Sequence, residues 1–363
     1  MARRLIFDRW LFSAPIGLTL LGLLMVTSAS SVLSLERFGN PYHYLIRQSV
    51  AAFIGLTLML VAMFMPYRIL ALPWVRGTCL GVTVAMLAAV LVLPATQGVH
   101  RWVKAGPLNV QPSEIAKLVV VLFLAGFLDR QRARLHDFKR TLLPCLAVIG
   151  QVALLIALEP DLGTCAMVLM TSVLLLFMGG IPYRQLAGVG AACVLCLAAL
   201  VASADYRMQR VISFMNPEAD PQGAGFQARQ SLLAVSAGGV SGRSLGEGQQ
   251  KHFFLPEPHT DFIFSVIAEE TGLLGAGAVL LAFAIIVWRG LRAAARAPDR
   301  FAGLVAAGLA LSLGLGALVN IGVALALLPT KGLPLPFISY GGSSLVVSLI
   351  SVGILLNISQ HSA

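Results

Sequence analysis

Apolar residues in this chain fall in long, nearly unbroken runs rather than in one-sided stripes. A helix needs roughly 17–25 predominantly apolar residues to cross a bilayer. The runs predict spans near 11–33, 44–65, 74–94, 111–128, 141–158, 163–181, 185–203, 262–288, 302–328 and 335–358. The sixth and seventh are separated only by GGIPYR. The pattern predicts an all-α, polytopic membrane protein with about ten transmembrane helices, forming a single membrane domain over 1–363. No internal repeat is evident.

Composition agrees: 58% of the 363 residues are hydrophobic and 12% are charged, against about 25% charged in soluble chains. The opening ARRLIFDRWLFSAPIGLTLLGLLMVTSASS has the layout of a signal peptide, but the many spans behind it favour a retained first helix. With the N-terminus in the cytoplasm, the inner segments hold Arg3, Arg4, Arg9, Arg68, Arg76, Arg130, Arg132, Arg134, Lys139, Arg140, Arg184, Arg289, Arg292, Arg296 and Arg300, the larger share of the 26 basic residues. The net charge of +10 is thus explained by topology and by contact with anionic membrane lipids, and calls for no nucleic acid. Cys79, Cys145, Cys165, Cys193 and Cys196 all lie in apolar runs, so the Cys193–Cys196 spacing reads as packing and no disulfide framework is implied.

One connection breaks the pattern of short loops. Residues 204–260 form a long extracytoplasmic loop, far beyond the 12–15 residues usual for structureless segments. Within it FQARQSLLAVSAGG has the spacing of a short amphipathic helix, expected to lie on the outer surface, and GGVSGRSLGEGQQ reads as a flexible turn. The other outer connections are also rich in polar residues: QGVHRWVKAGPLNVQPSE, the Glu159-Pro160-Asp161 corner, and LPTKGLPLPFISYGGSS. The candidate chemistry gathers on one face.

The sharpest candidate is Asp261, in LPEPHTDFIFSVIAEETG, where a polar loop becomes an apolar helix. Thr260 and Asp261 would serve as a helix N-cap. A cap leaves His259, Glu269 and Glu270 unexplained, and a carboxylate kept at a membrane boundary is costly unless it works. Capping is compatible with accepting a proton from a sugar hydroxyl, provided burial or a neighbouring acid offsets the pKa-lowering helix dipole. Glu114 and Lys117 share a helix face just after Pro112; they either neutralise each other or hold Lys117 ready for an anion. Arg101, Lys104, Arg207, Arg210, Arg243, Lys251 and Lys331 lie outside against the positive-inside trend, either merely solvated or gathered on phosphate. Trp102 is an interfacial anchor or a sugar platform. Pro334, Pro336, Gly341 and Gly342 mark an irregular approach to the last span, either a tight turn or a broken-helix site. There is no phosphate-binding GxxxxGK[ST] and no zinc-ligand spacing.

The segments RWVKAGPLNVQPSEIAKL, EPDLGT, NPEADPQGAGFQARQSLLA, LPEPHTDFIFSVIAEETGLLG and GLPLPFISYGGSSL resemble the SEDS family (shape, elongation, division and sporulation), bacterial ten-span proteins typified by FtsW and RodA. The resemblance covers nearly the whole chain. It implies a peptidoglycan glycosyltransferase of the bacterial cytoplasmic (inner) membrane that polymerises lipid II at the extracytoplasmic face. Implied partners are a class B penicillin-binding protein and other membrane proteins of the divisome or elongasome. The family's essential acid falls on Asp261, its RW pair on Arg101 and Trp102, and its PSE..K motif on Glu114 and Lys117. His259, Ser339 and Tyr340 lie in the two most specific segments and are expected at the substrate, with Arg210, Lys251 and Lys331. QQKHFFLPEPHTDF and PTKGLPLPF look more like the division branch than the elongation branch. The chain departs from many relatives at Gly316, where they carry a glutamine four residues before the asparagine.

The expected reaction has Asp261 take the proton of the acceptor's 4-hydroxyl while polyprenyl diphosphate leaves the donor sugar. Arg101, Arg210, Lys251 and Lys117 would stabilise the leaving charge. A divalent cation, Mg or Mn, could share that work, although no motif fixes one. The rival class is a lipid II flippase, whose key charges would cluster at the midplane between repeats. A third reading is an idle scaffold, which leaves the boundary acids unexplained.

Overall fold

The computed structural model describes residues 7–93, 101–105, 108–216, 223–251, 255 and 257–361. These form α1 (Arg9–Phe38), α2 (His43–Phe64), α3 (Pro73–Val92), α4 (Pro112–Arg130), α5 (Leu143–Leu158), α6 (Leu162–Met178), α7 (Tyr183–Ala202), α8 (Asp205–Met215), α9 (Ala224–Gly238), α10 (Ile263–Ala295), α11 (Arg300–Ala324) and α12 (Gly342–Gln360). An antiparallel hairpin, β1 (Val103–Ala105) and β2 (Leu108–Val110), pairs Val103 with Val110. Among the described residues eight helices are long and apolar enough to cross a membrane, α5 counted with the π-helical turn Phe138–Leu142 that leads into it, and α6 is a shorter apolar helix. The remaining span-length helix, α4, carries Glu114, Lys117, Asp129 and Arg130. The protein is a multi-pass membrane protein, with the expected helices displaced by a few residues at their ends. The largest displacements are at the end of α10, which runs on to Ala295, and at the last span, which starts at Gly342 because 335–341 are irregular.

Local chemistry sets the boundaries. Asp8 caps α1 by accepting from the backbone N–H groups of Trp10 and Leu11, and Gly39 closes it in the left-handed conformation at φ 67°. Asp161 caps α6 through Thr164, and Asp299 caps α11 through Ala302. The capping carboxylates also fasten helices together. Arg289 donates to Asp8, and the Tyr67 hydroxyl donates to Asp299 at 2.7 Å. These contacts, with Arg300 donating to the Gly179 carbonyl, define one end of the bundle. Arg101, Asp161, Arg210, Asp261 and Lys331 gather at the other.

Small residues bring the helices close, as expected where lipid supplies no hydrophobic drive. A Cβ on Gly353 of α12 would meet the Met59 carbonyl of α2 at 2.4 Å, and one on Gly22 of α1 would meet the backbone of Ile338 at 2.7 Å. Asn357 seals the α2–α12 contact, donating to the Met63 carbonyl and accepting from the Tyr67 N–H.

The 204–260 connection carries more structure than a loop with one helix. The FQARQSLLAVSAGG helix forms, as α9, with one face docked on the bundle and Leu232 and Leu233 exposed on the other. Ser231 is fully buried and bonds the Ser265 hydroxyl and the Ala324 carbonyl at 2.6 Å each, docking α9 on α10 and α11. A second helix, α8, forms in the same connection, and its Arg207, Arg210 and Val211 line the cavity at Asp261. The glycine-rich turn is fastened at a break in α10, where Gly272 takes φ 67°, ψ −165°. The N–H groups of Arg243 and Ser244 donate to the carbonyls of Glu269 and Glu270, and those of Leu273 and Leu274 to Gly239 and Val240. The loop thereby satisfies backbone groups that the break exposes.

Candidate active site

Asp261 occupies the last turn before α10. Three consecutive carbonyls of the segment leading into it are held from outside. The Tyr340 N–H donates to the His259 carbonyl at 2.8 Å, the Ser339 hydroxyl to the Thr260 carbonyl at 2.5 Å, and the Asn320 amide to the Asp261 carbonyl at 3.0 Å. Asn320 also donates to the Leu333 carbonyl at 2.7 Å. The irregular 333–341 stretch is therefore the clamp that positions the acid. Ser339, expected at the substrate, is buried and serves that clamp, also accepting from the Leu335 N–H.

The Asp261 side chain faces a cavity of about 350 Å³ lined by Arg101, Asp161, Arg207, Arg210 and Lys331, with Val201, Tyr206 and Gly332. Burial in this crevice raises its pKa to about 7; Glu257 and Asp161 push the same way, while Arg210 and Arg101 oppose. Such a carboxyl exchanges protons near neutrality. Burial lowers the Lys331 pKa, as expected for an ammonium drawn into the wall. Arg101 is fixed by donating to the carbonyls of Glu159 and Pro160 rather than to a carboxylate, so its charge is not cancelled. Glu159 behind it is fully buried, its carboxyl without a hydrogen-bond partner, and burial pushes it up to about 8, which favours its neutral form. Asp161 is committed to Thr164 and Gln111.

Of the expected cations, Arg101, Arg210 and Lys331 converge on Asp261, joined by Arg207. Two others do not. Lys251 is buried and donates to Glu270 at 2.7 Å, to Ser28 and to the Gly246 carbonyl, so it locks the loop at the α10 break. Glu269 holds the same loop through the N–H groups of Gln249 and Gln250. Lys117 pairs with Glu114 at 2.9 Å beside a small void of about 30 Å³ next to Gly316, Pro334 and Pro336. Trp102, His259 and Tyr340 line a separate cavity. The Lys104 side chain and residues 252–254 lie outside the described residues. No cluster of three or more His, Cys, Asp or Glu suited to a metal occurs among the described residues, and the five cysteines are free.

Sequence reasoning missed Asn320 as the clamp and Gly332 as a close neighbour of the carboxylate. An asparagine within an apolar run is the signal for the first, since a buried amide must find partners. For the second, nothing in the sequence brings Gly332 beside Asp261.

Comparison with known proteins places the chain in a family. The chain is 40% identical over 362 residues to the probable peptidoglycan glycosyltransferase FtsW of Geobacter metallireducens, covering 98% of this chain and 95% of that one. It is 39% identical to stage V sporulation protein E of Bacillus subtilis, covering 94% of each. Among solved structures, one described as "Structural coordination of polymerization and crosslinking by a peptidoglycan synthase complex" superposes with TM-score 0.78 at 32% identity, covering 97% of each chain. Thermus thermophilus rod shape determining protein RodA gives 0.72 at 30% identity, covering 98% of this chain and 97% of that one. The family model for FtsW, RodA and SpoVE, described as "Cell cycle protein", matches residues 9–363, and the chain belongs to that family.

Proposed function

We propose that this protein is a peptidoglycan glycosyltransferase that polymerises lipid II, with the Asp261 end of the bundle outside the cytoplasmic membrane and the N-terminus inside. The observation that carries the mechanism is one carboxyl of near-neutral pKa in a cavity walled by Arg101, Arg207, Arg210 and Lys331. Asp261 takes the proton from the acceptor's 4-hydroxyl, and that oxygen bonds to the donor's anomeric carbon. The bond from that carbon to the diphosphate breaks, and polyprenyl diphosphate leaves with both electrons. The cations stabilise the charge growing on the diphosphate, replacing the set that included Lys251 and Lys117. An apolar groove of about 600 Å³ between α5, α6 and α7 reaches Leu200, beside Val201 of the charged cavity, and suits the polyprenyl tail.

Asp161, already bonded to Thr164 and Gln111, leaves Asp261 as the free carboxylate of the cavity, so these residues do not form a protein cage for a resident metal. A divalent cation would arrive with the diphosphate.

Relatives named FtsW at about 40% identity over nearly the full length support a role in division. The partner is then a class B penicillin-binding protein, which crosslinks the strands, among other divisome membrane proteins. The break in α10 is filled by the chain's own loop, which disfavours a transport site there. Reconstitution into liposomes with labelled lipid II separates the classes. Glycan polymer in the presence of the partner supports the enzyme; lipid transfer between leaflets without polymer refutes it.

A further inference from the structure

The reaction joins two lipid-linked saccharides, so the acceptor needs a seat apart from the donor's diphosphate. Directly behind the Asp261 segment lies a second cavity of about 310 Å³, lined by Arg37, Arg47, Tyr44, Trp102, His259 and Tyr340, among others. Thr260 faces this cavity and Asp261 faces the first. One residue step, under about 4 Å of chain, therefore separates the two walls. Arg101 and Trp102 divide between the cavities in the same way.

Its chemistry suits an anionic saccharide. Tyr44, His259 and Tyr340 form an aromatic cluster with ring centroids 4.6 to 5.6 Å apart, and Trp102 adds the kind of face on which a sugar ring stacks. Among the described residues no carboxylate lies within ion-pair distance of Arg47; Arg37 reaches Glu257 only at 4.0 Å, between half-exposed side chains. His259 is 2% exposed, and its Nδ1 is buried without a hydrogen-bond partner. Its Nε2 lies 3.5 Å from Glu257, which also lines the cavity and leaves Arg47 as the cation without a carboxylate partner there.

Resting on the glycosyltransferase reading, we propose that this cavity seats the acceptor: its saccharide against Trp102 and the Tyr44–His259–Tyr340 cluster, its diphosphate at Arg37 and Arg47. The acceptor's 4-hydroxyl lies at the far end of its disaccharide from the diphosphate. Seating the diphosphate here lets that hydroxyl reach over the 259–261 wall to Asp261.

The test is a single coupling between two analogues. The first is a lipid II with its 4-hydroxyl removed, which can only donate. The second has a carbon atom in place of the anomeric oxygen, which can only accept. In Arg47→Gln, and in Arg37→Gln/Arg47→Gln, the KM for the acceptor-only analogue should rise about fivefold or more, while the donor-only KM stays within about twofold. Arg210→Gln should do the reverse. Arg47 is exposed, so its loss leaves folding intact; Trp102→Leu, raising the same KM, provides a second variant. Equal effects on both analogues, or none on either, would overturn the assignment. So would displacement of the acceptor analogue by phosphatidylglycerol that is lost in Arg47→Gln, because the cavity would then hold an ordinary lipid headgroup. Failure of the enzymatic reading looks different: wild type would make no coupled product at any concentration.

Discussion

Gly332 approaches Asp261 so closely that a Cβ on the glycine would stand 3.0 Å from Oδ2 of the carboxylate. The α11–α12 connection thus forms part of the candidate site, although about seventy residues separate it from the acid along the chain. Gly332→Ala should push the carboxylate from its working position. The carboxylate must give by a few tenths of an ångström, and since about 1 Å can cost a hundredfold, a loss of roughly threefold to tenfold in rate is expected. The expected signature is reduced kcat with little change in thermal stability, measured by glycan synthesis and melting of the purified protein.

The clamp on the acid should matter to both stability and activity. Asn320→Ala removes the donor to two carbonyls, of Asp261 and Leu333. Leaving each buried carbonyl unpaired costs about 1–3 kcal/mol. A lowered Tm together with a lowered kcat is expected, and Asn320→Gln should not fully restore either.

Asp261 gives the protein a pH dependence of definite sign. Its pKa is about 7 in the fold against an ordinary 3.8, chiefly through burial. If the ionised form is the base, kcat/KM rises about tenfold per pH unit below 7 and levels above it. Stability runs the other way. Both states are protonated below pH 4, so the carboxyl then has no effect. Between about 4 and 7 the unfolded chain ionises first, and stability falls as pH rises, reaching its full deficit above 7. Asp261→Asn should therefore melt at a higher temperature than wild type at pH 8 and near the same temperature at pH 4.

The lock at the α10 break should fail when one partner is lost. Lys251 and Glu270 are both buried and pair at 2.7 Å. Removing one side of such a pair costs about 3–5 kcal/mol, because a buried charge is left uncompensated. Glu270→Gln and Lys251→Met should each expose the 239–251 loop to limited proteolysis, and the double variant should be better protected than either single one.

The bundle was readable because a bilayer demands long apolar runs, and hydropathy records them directly. Asp261 was readable because a carboxylate at a membrane boundary needs a reason. The roles of Lys251 and Ser339 were not. Lys251 stands among outward polar residues, and only the fold brings it to Glu270, because Gly272 breaks α10 and admits the loop. Ser339 looks like a substrate contact in a glycine-rich stretch, but its hydroxyl is taken by the Thr260 carbonyl. Such long-range backbone pairing leaves no local pattern. The glycines at 238, 242 and 272 permit it, since a Cβ at any of them would lie within 2.4 Å of the opposing backbone.

The most direct test of the central claim is the initial rate of glycan polymerisation from labelled lipid II, measured at pH 8 with the penicillin-binding partner present. The partner supplied is a candidate class B penicillin-binding protein, and wild type is compared with Asp261→Asn after both are shown to be folded. The account predicts polymer from wild type and a loss of at least a thousandfold, on the order expected for removal of a base in a preorganised site. A variant polymerising within about tenfold of wild type would contradict it, because Asp261 would then not be the group that takes the proton.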